Sequence, residues 1–232
     1  MNQTWWKIGC VAILAYVFTA GLLMDVPRQP ILNETIRNVY FHVPLWFGMI
    51  ALMTASGWYA VRYLRFGKMD DDGQSVEYAN TGLVFGLLGY VTGAIWGNYT
   101  WGDPLPKDPK ILSAAAGMLF YLAYWLLRSS FRDEQQRARI SAIYNVFAFA
   151  VFIPLIFVLP RLTDSLHPGN GGNPAFGRYD MDNQMRMVFY PANVGMILLG
   201  VWISTLRVRL RRVTRALEER EERFLRKPTL ER

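Results

Sequence analysis

The stretch that decides the fold is VPLWFGMIALMTASGWYAVRY, residues 43–63. From residue 43 to residue 61 it contains no Lys, Arg, Asp or Glu. An apolar run of about 20 residues crosses a hydrocarbon core about 30 Å thick, because an α-helix rises about 1.5 Å per residue. Comparable blocks recur along the chain. The sequence therefore predicts an all-α integral membrane protein with six transmembrane helices, at about 6–24, 43–63, 81–96, 112–127, 140–159 and 188–206.

Two of these blocks have features of their own. The third carries small residues at intervals of three or four, which let a neighbouring helix approach closely and indicate a packed inner helix: Gly82, Gly86, Gly89 and Gly93. The first has an apolar run longer than that of a usual signal peptide, so we expect it to remain as a helix. The single cysteine, Cys10, lies in this first block, where we expect a small buried apolar residue.

The distribution of charge predicts the orientation. Of the 25 Lys and Arg residues, 18 fall in the N-terminus, the second and fourth connections and the C-terminal segment. Basic residues concentrate on the cytoplasmic side of membranes, so both termini are predicted to be cytoplasmic. The first, third and fifth connections would then face the periplasm of a bacterial inner membrane. The net charge of +7 is therefore a topology signal and an attraction to anionic membrane lipids, rather than a nucleic-acid footprint.

Two segments on the predicted cytoplasmic side carry most of the remaining charge. Residues 207–232 are predicted to be a basic helical tail, separate from a six-helix transmembrane domain of residues 1–206. An apolar stripe from Leu206 to Phe224 follows this tail and is either part of a solvated helix or a docking surface for a cytoplasmic partner. In the second connection, we expect Asp70–Asp72 to form a solvated turn rather than a divalent-cation site.

The outer side collects the groups that haem needs. Both histidines of the chain fall there, His42 before the second span and His167 between the fifth and sixth. Each alone is typical of a surface or structural histidine, but two imidazoles are a ligand set for haem iron. Flat aromatic side chains suit the macrocycle and cations suit its propionates. The same side supplies these groups in Trp96, Tyr99, Trp101, Arg37 and Lys110.

Three motifs in these segments resemble cytochrome c maturation protein C, also called haem exporter protein C, a family in a wider haem-handling superfamily. They are RNVYFHVP at 37–44, the tryptophan motif at 96–111, and LHPG at 166–169. The family's tryptophan motif usually ends in Trp-x-Trp-Asp. Here the aligned positions are Pro104–Lys107, and only the acid is kept, as Asp108. The aromatic platform is thinner at that end, and its prolines predict a non-helical segment.

The resemblance implies roles for individual residues. His42 and His167 are expected to be axial ligands of haem b, bound transiently as cargo. Arg37 and Lys110 are expected to contact the propionates or a chaperone carboxylate. The remaining motif residues are expected to cover haem or to dock the chaperone: Trp96, Tyr99, Trp101 and Asp108. Pro44 is expected in the first turn of the second span, where its missing N–H costs little.

The resemblance also implies partners. They are a periplasmic haem chaperone (the E protein of the pathway), the A and B subunits of an ATP-binding-cassette transporter, and a small single-span D protein. The chain has no Gly-x-x-x-x-Gly-Lys-Ser/Thr phosphate loop. We therefore expect a delivery subunit for c-type cytochrome biogenesis rather than an enzyme.

Other membrane functions fit the residues less well. A b-type cytochrome for electron transfer places its histidines well inside facing helices, whereas both lie at the outer edge here. A cytochrome c synthase of the same superfamily is generally larger. A secondary transporter requires charged groups near mid-membrane or an internal repeat, and the sequence has neither. The b-type cytochrome and the synthase stay as alternatives.

Overall fold

The computed structural model describes residues 4–28, 31–167 and 181–225. Within these ranges the chain forms no β-strand and six α-helices, each long and apolar enough by length and composition to cross a membrane. They are α1 (Trp5–Leu23), α2 (Val39–Phe66), α3 (Met69–Trp101), α4 (Pro109–Ser129), α5 (Glu134–Phe157) and α6 (Asn183–Leu225). The predicted all-α fold with six spans is confirmed.

Some predicted segments lie outside the described residues. They are Pro168 and Gly169 of the LHPG motif, most of the long fifth connection, and the end of the tail from residue 226. The predicted division of the chain after residue 206 stays a prediction. Helix α6 passes through that position as one continuous helix of 43 residues.

Helix α3 is longer than the apolar block that predicted it. It contains 33 residues and ends only at Gly102, whose φ of 74° is the left-handed conformation that stops helices. The aromatic residues from Trp96 to Trp101 therefore lie in the last turns of α3 rather than in a loop. The proline-rich residues that follow are not helical, as predicted, and α4 begins at Pro109.

The start of α2 differs from the prediction. A 3-10 helix at Asn33–Asn38 runs directly into α2, which begins at Val39. Pro44 is therefore inside the helix, and the expectation that it lies in the first turn is wrong. His42 lies in that first turn, which fixes its backbone.

The small residues of α3 bring it close to α2, as predicted. A Cβ atom built on each of the four glycines would lie 2.5–3.0 Å from an α2 side chain. The four contacts pair Gly82 with Met53, Gly86 with Met49, Gly89 with Trp46, and Gly93 with His42. Real Cβ contacts are essentially never under 3.0 Å, so a larger residue at Gly86 or Gly93 would force the Met49 side chain or the His42 ring to move.

A buried polar cluster ties a third helix to this pair. The hydroxyls of Ser56 and Ser75 each donate to the other residue's carbonyl, at 2.7 and 3.0 Å. The Asn145 side chain of α5 donates to both hydroxyls, at 2.7 and 2.9 Å. Hydrogen bonds of this kind hold helices together where the surrounding lipid offers no alternative partner.

The two ends of the bundle differ in chemistry. One end, which we call the histidine end, contains the start of α2, the end of α3 and the start of α4. The opposite, arginine end contains the α2–α3 turn and a set of ion pairs. These pairs join α6 to α3 and α5: Arg207 and Arg211 with Glu77, Arg212 with Asp70, and Arg215 with Glu134.

The aspartates at the arginine end do not form a solvated turn, so that expectation is wrong. They occupy the first turn of α3, where the helix dipole favours negative charge. Asp71 and Asp72 are buried. Arg128 of α4 donates to both carboxylate oxygens of Asp72, at 2.8 and 2.6 Å, which compensates the burial of both charges.

Replacing Asp72 with Asn should strongly destabilise the protein, because it leaves the buried Arg128 charge without its carboxylate. Breaking a buried ion pair typically costs about 3–5 kcal/mol. Asp70→Asn is a matched control in the same helical turn, since the Asp70–Arg212 pair is about half exposed and such pairs contribute about 0–1 kcal/mol. Unfolding in detergent, followed by circular dichroism, measures both; equal losses would contradict the assignment.

Candidate functional site

A single cavity at the histidine end receives both histidines. Its volume is about 250 Å³, and it lies among the outer parts of α2, α3, α4 and the end of α5. Most of its wall is aliphatic or aromatic. Its lining includes two histidines, two further aromatic residues and two cations: His42, His167, Trp46, Tyr90, Lys110 and Arg161. Two residues 125 positions apart in the sequence (His42 and His167) are thus brought to one site.

The His42 ring is held by α3. Its Nδ1 lies 3.1 Å from the Thr92 hydroxyl oxygen. That hydroxyl is 2.8 and 3.0 Å from the carbonyls of Leu88 and Gly89, so its proton points to the helix backbone. The Thr92 oxygen therefore accepts from Nδ1–H, which assigns the tautomer from the network and leaves Nε2 for a ligand. Gly93 supplies the space that the ring occupies.

Two tryptophans fix the other sides of the His42 ring. Trp46, one turn along α2, meets it edge to face with centroids 6.3 Å apart. Trp96 of α3 does so at 5.9 Å, and its indole N–H donates to the Thr35 hydroxyl at 3.1 Å. The imidazole is therefore oriented by packing on both helices.

The His167 ring is held by a carboxylate. Its Nδ1 lies 3.2 Å from one oxygen of Asp108, whose side chain is fully buried. Asp108 caps the N-terminus of α4 by accepting from the Lys110 N–H at 2.9 Å. It also accepts from the Ser165 hydroxyl at 2.9 Å and the Leu166 N–H at 2.6 Å. A histidine whose Nδ1 is engaged by a carboxylate presents Nε2 as the coordinating atom.

These contacts also set the charge state of Asp108. Burial by itself raises the pKa of this carboxyl group. Hydrogen bonds from His167, the Leu166 N–H and the Ser165 hydroxyl outweigh burial and hold the pKa well below its usual range. Asp108 is therefore ionised at neutral pH, and a negative charge lies directly behind the His167 ring.

Apart from Lys110, the other predicted site residues lie around the cavity rather than in its lining. Trp101 packs edge to face against His167, with centroids 4.9 Å apart. Tyr99 is 75% exposed and lines a second, open groove of about 380 Å³, together with Trp96 and Arg37. The Arg37 guanidinium donates to Glu34 and to the backbone carbonyls of Gly21 and Met24. Of the two predicted cations, only Lys110 lines the cavity with the histidines.

Four residues of this site were missed in the sequence: Trp46, Tyr90, Thr92 and Arg161. Trp46 stands four positions after His42 and so shares its helix face, a signal that was available. Arg161 is one of the few basic residues on the predicted outer side, and it lines the cavity just after α5. Nothing in the sequence marks Thr92, because its contact with His42 depends on how α2 and α3 pack.

Comparison with known proteins identifies the family of this chain. The family model described as "Heme exporter protein C" matches residues 1–223. The heme exporter protein C of Rhodobacter capsulatus is 25% identical, covering 91% of this chain and 89% of the relative. That of Paracoccus denitrificans is 26% identical, covering 94% and 91%.

A second set of relatives shares only part of the chain. The cytochrome c biogenesis protein CcsA of Prochlorococcus marinus is 37% identical over 70 residues, which are 30% of this chain and 22% of the relative. The match along nearly the whole chain decides the assignment. This membrane protein belongs to the heme exporter protein C family, which is part of cytochrome c biogenesis.

Proposed function

We propose that this protein binds haem b as a transient cargo at its histidine end and delivers it to a periplasmic haem chaperone for c-type cytochrome biogenesis. The observation that carries the proposal is that both histidines line one cavity, each with its Nδ1 engaged by the protein. Two imidazoles with free Nε2 atoms are the axial ligands of a six-coordinate haem iron. In this proposal the protein is a delivery subunit and not an enzyme.

The rest of the cavity wall fits the same cargo. Trp46 and Tyr90 offer flat aromatic surface for the macrocycle. Lys110 and Arg161 are the cations of the wall, and a guanidinium pairs well with a carboxylate, so we assign both to the propionates. The cavity of about 250 Å³ is below the range of about 300–1,000 Å³ for small-molecule sites, so in this proposal it encloses only part of the haem and leaves an edge for the receiver.

We assign the chaperone contact to the surface beside the cavity. Tyr99 is well exposed there. Arg37 lies in the adjoining groove and not in the haem cavity, so we assign its positive charge to a chaperone carboxylate rather than to a haem propionate. Trp96 and Trp101 stand behind the histidines, so we assign them to orienting the ligands and to docking. Asp108 is buried, so we assign it to positioning His167 rather than to covering haem.

The proposal includes an orientation and an assembly. The excess of Lys and Arg at the arginine end supports a cytoplasmic location for that end and for both termini, in the inner membrane of a bacterium. The histidine end would then face the periplasm. The partners proposed from the family resemblance are the E chaperone, the A and B transporter subunits and the D protein.

The first test is ligation. His42→Ala and His167→Ala should each abolish the low-spin absorption spectrum of the haem-loaded protein purified in detergent, because each removes one axial ligand. Circular dichroism of the same samples checks that the helices are intact. Unchanged spectra in both variants would refute the proposal. A reversible redox cycle with a quinone donor in the wild type would favour the b-type cytochrome instead.

The second test uses the close approach of α3 to His42. Gly93→Ala places a methyl group 2.6 Å from the His42 Cε1 atom, so the ring has to move, and haem affinity should fall at least about 10-fold. Gly82→Ala is the matched control, because its methyl group meets the flexible end of Met53 instead. Titration with haemin measures both. Equal affinities for the two variants would contradict the proposed position of the ligand.

The third test separates docking from ligation. Trp101→Ala removes an aromatic side chain beside His167 without removing a ligand. We expect it to slow haem loading of the purified chaperone several-fold, while the iron spectrum shifts only slightly. Tyr63→Ala, at the arginine end, controls for loss of an aromatic residue. The docking role fails if loading is unchanged, or if the spectrum is lost together with loading.

A further inference from the structure

Resting on the proposed haem site, we infer that the two imidazoles are unequal ligands. Asp108 makes His167 the stronger ligand, which anchors the haem. Thr92 leaves His42 as the weaker ligand, which releases the iron first when the cargo is passed on. Asp108 and Thr92 are thus positioning residues of unequal effect, and in this proposal neither touches the haem.

The two imidazole rings have different hydrogen-bond acceptors at their Nδ1 atoms. The Nδ1 of His167 faces the fully buried carboxylate of Asp108, whereas the Nδ1 of His42 faces the hydroxyl of Thr92. A carboxylate that accepts this N–H bond raises the basicity of the imidazole and strengthens its bond to a metal. A neutral oxygen gives little of this effect. The hydrogen bonds alone therefore rank His167 above His42.

The position of His167 on a connecting segment does not reverse this ranking. Asp108 holds that segment at three points, the Ser165 hydroxyl, the Leu166 N–H and the His167 ring. The Ser165 oxygen also accepts from the His167 N–H at 3.1 Å. The segment is therefore fixed to the start of α4 by the same carboxylate that supports the ligand.

The acceptor behind His42 is weak for a second reason. The Thr92 oxygen uses its proton on the α3 backbone, so it follows the helix and cannot turn to improve its contact with the ring. His42 is precisely oriented by its packing, but packing does not strengthen its bond to iron. Packing thus orients the His42 ring, whereas the strength of its bond to iron would depend on the Thr92 hydroxyl.

Release in this order needs no change of oxidation state. The bond between iron and the His42 Nε2 breaks, and its electron pair stays on the imidazole. A donor atom of the acceptor protein then takes the vacated coordination position. The haem would stay bound to His167 until the donor atom of the acceptor protein holds the iron. The bond to the His167 Nε2 would then break, with its electron pair kept on that imidazole, so haem would never be free in solution during transfer.

The test compares single-histidine proteins. We expect His42→Ala, which keeps His167, to bind haemin about 10–100-fold more tightly than His167→Ala, the range that such supporting groups contribute to metal sites. In the ferrous state, resonance Raman should give a higher iron–histidine stretching frequency for His42→Ala than for His167→Ala. This frequency reports the strength of the bond itself, and a merely structural role of Asp108 would leave it unchanged.

Asp108→Asn, introduced into the His42→Ala protein, should lower that frequency and weaken haemin binding. Asp103→Asn is its matched control, because Asp103 lies in the same segment and accepts a backbone N–H, from Leu105, without contacting a histidine. Thr92→Val in the His167→Ala protein should change the frequency little. If Asp108→Asn fails to fold, the comparison of the two single-histidine proteins still decides.

The outcomes separate this inference from the proposed function. Equal frequencies and haemin affinities within about threefold for the two single-histidine proteins would overturn the inequality, while bis-histidine ligation would stand. Tighter binding by His167→Ala would also overturn it. If neither histidine variant changes the spectrum of the haem-loaded protein, the proposed site itself is wrong.

Discussion

The structure depends on the close contact between α2 and α3. Four glycines on α3 let α2 approach until side chains of α2 fill the space that a methyl group would take. These glycine contacts run from Met53 in the interior of the bundle to His42. The steric constraint that packs α2 against α3 therefore also places the imidazole of His42. Without a strong hydrophobic force between helices in lipid, such packing is a main source of their association.

The sequence predicts the spans well because apolar length is a property of the local chain. Six apolar blocks without interior charge are sufficient to predict the six spans. The glycine spacing in the third block is sufficient to predict its close packing. The ends of the helices are less predictable, because a helix can continue beyond its apolar block into polar residues until it reaches a residue that ends it. Helix α3 continues through its aromatic residues to Gly102, and at its other end it includes three aspartates.

The two histidines of the candidate site can be predicted from the sequence, but the hydrogen bonds that hold their rings cannot. His42 and His167 stand out because they are the only histidines in the chain. Their supporting groups come from distant positions: Asp108 lies 59 residues from His167, and Thr92 lies 50 residues from His42. The burial of Asp72 depends in the same way on Arg128, 56 residues away. Such pairs are set by helix packing, which a local pattern does not contain.

The supports of the two histidines have a mechanical consequence. His42 is fixed to α3 through Thr92 and Gly93, and His167 is fixed to the first turn of α4 through Asp108. The distance between the imidazoles therefore follows the distance between the end of α3 and the start of α4. Residues 102–108 join these two points as a short non-helical strap stiffened by Pro104 and Pro106. The separation of the two proposed iron ligands is thus set by helix spacing, so a change in the distance between α3 and α4 would alter it without any contact to either ring.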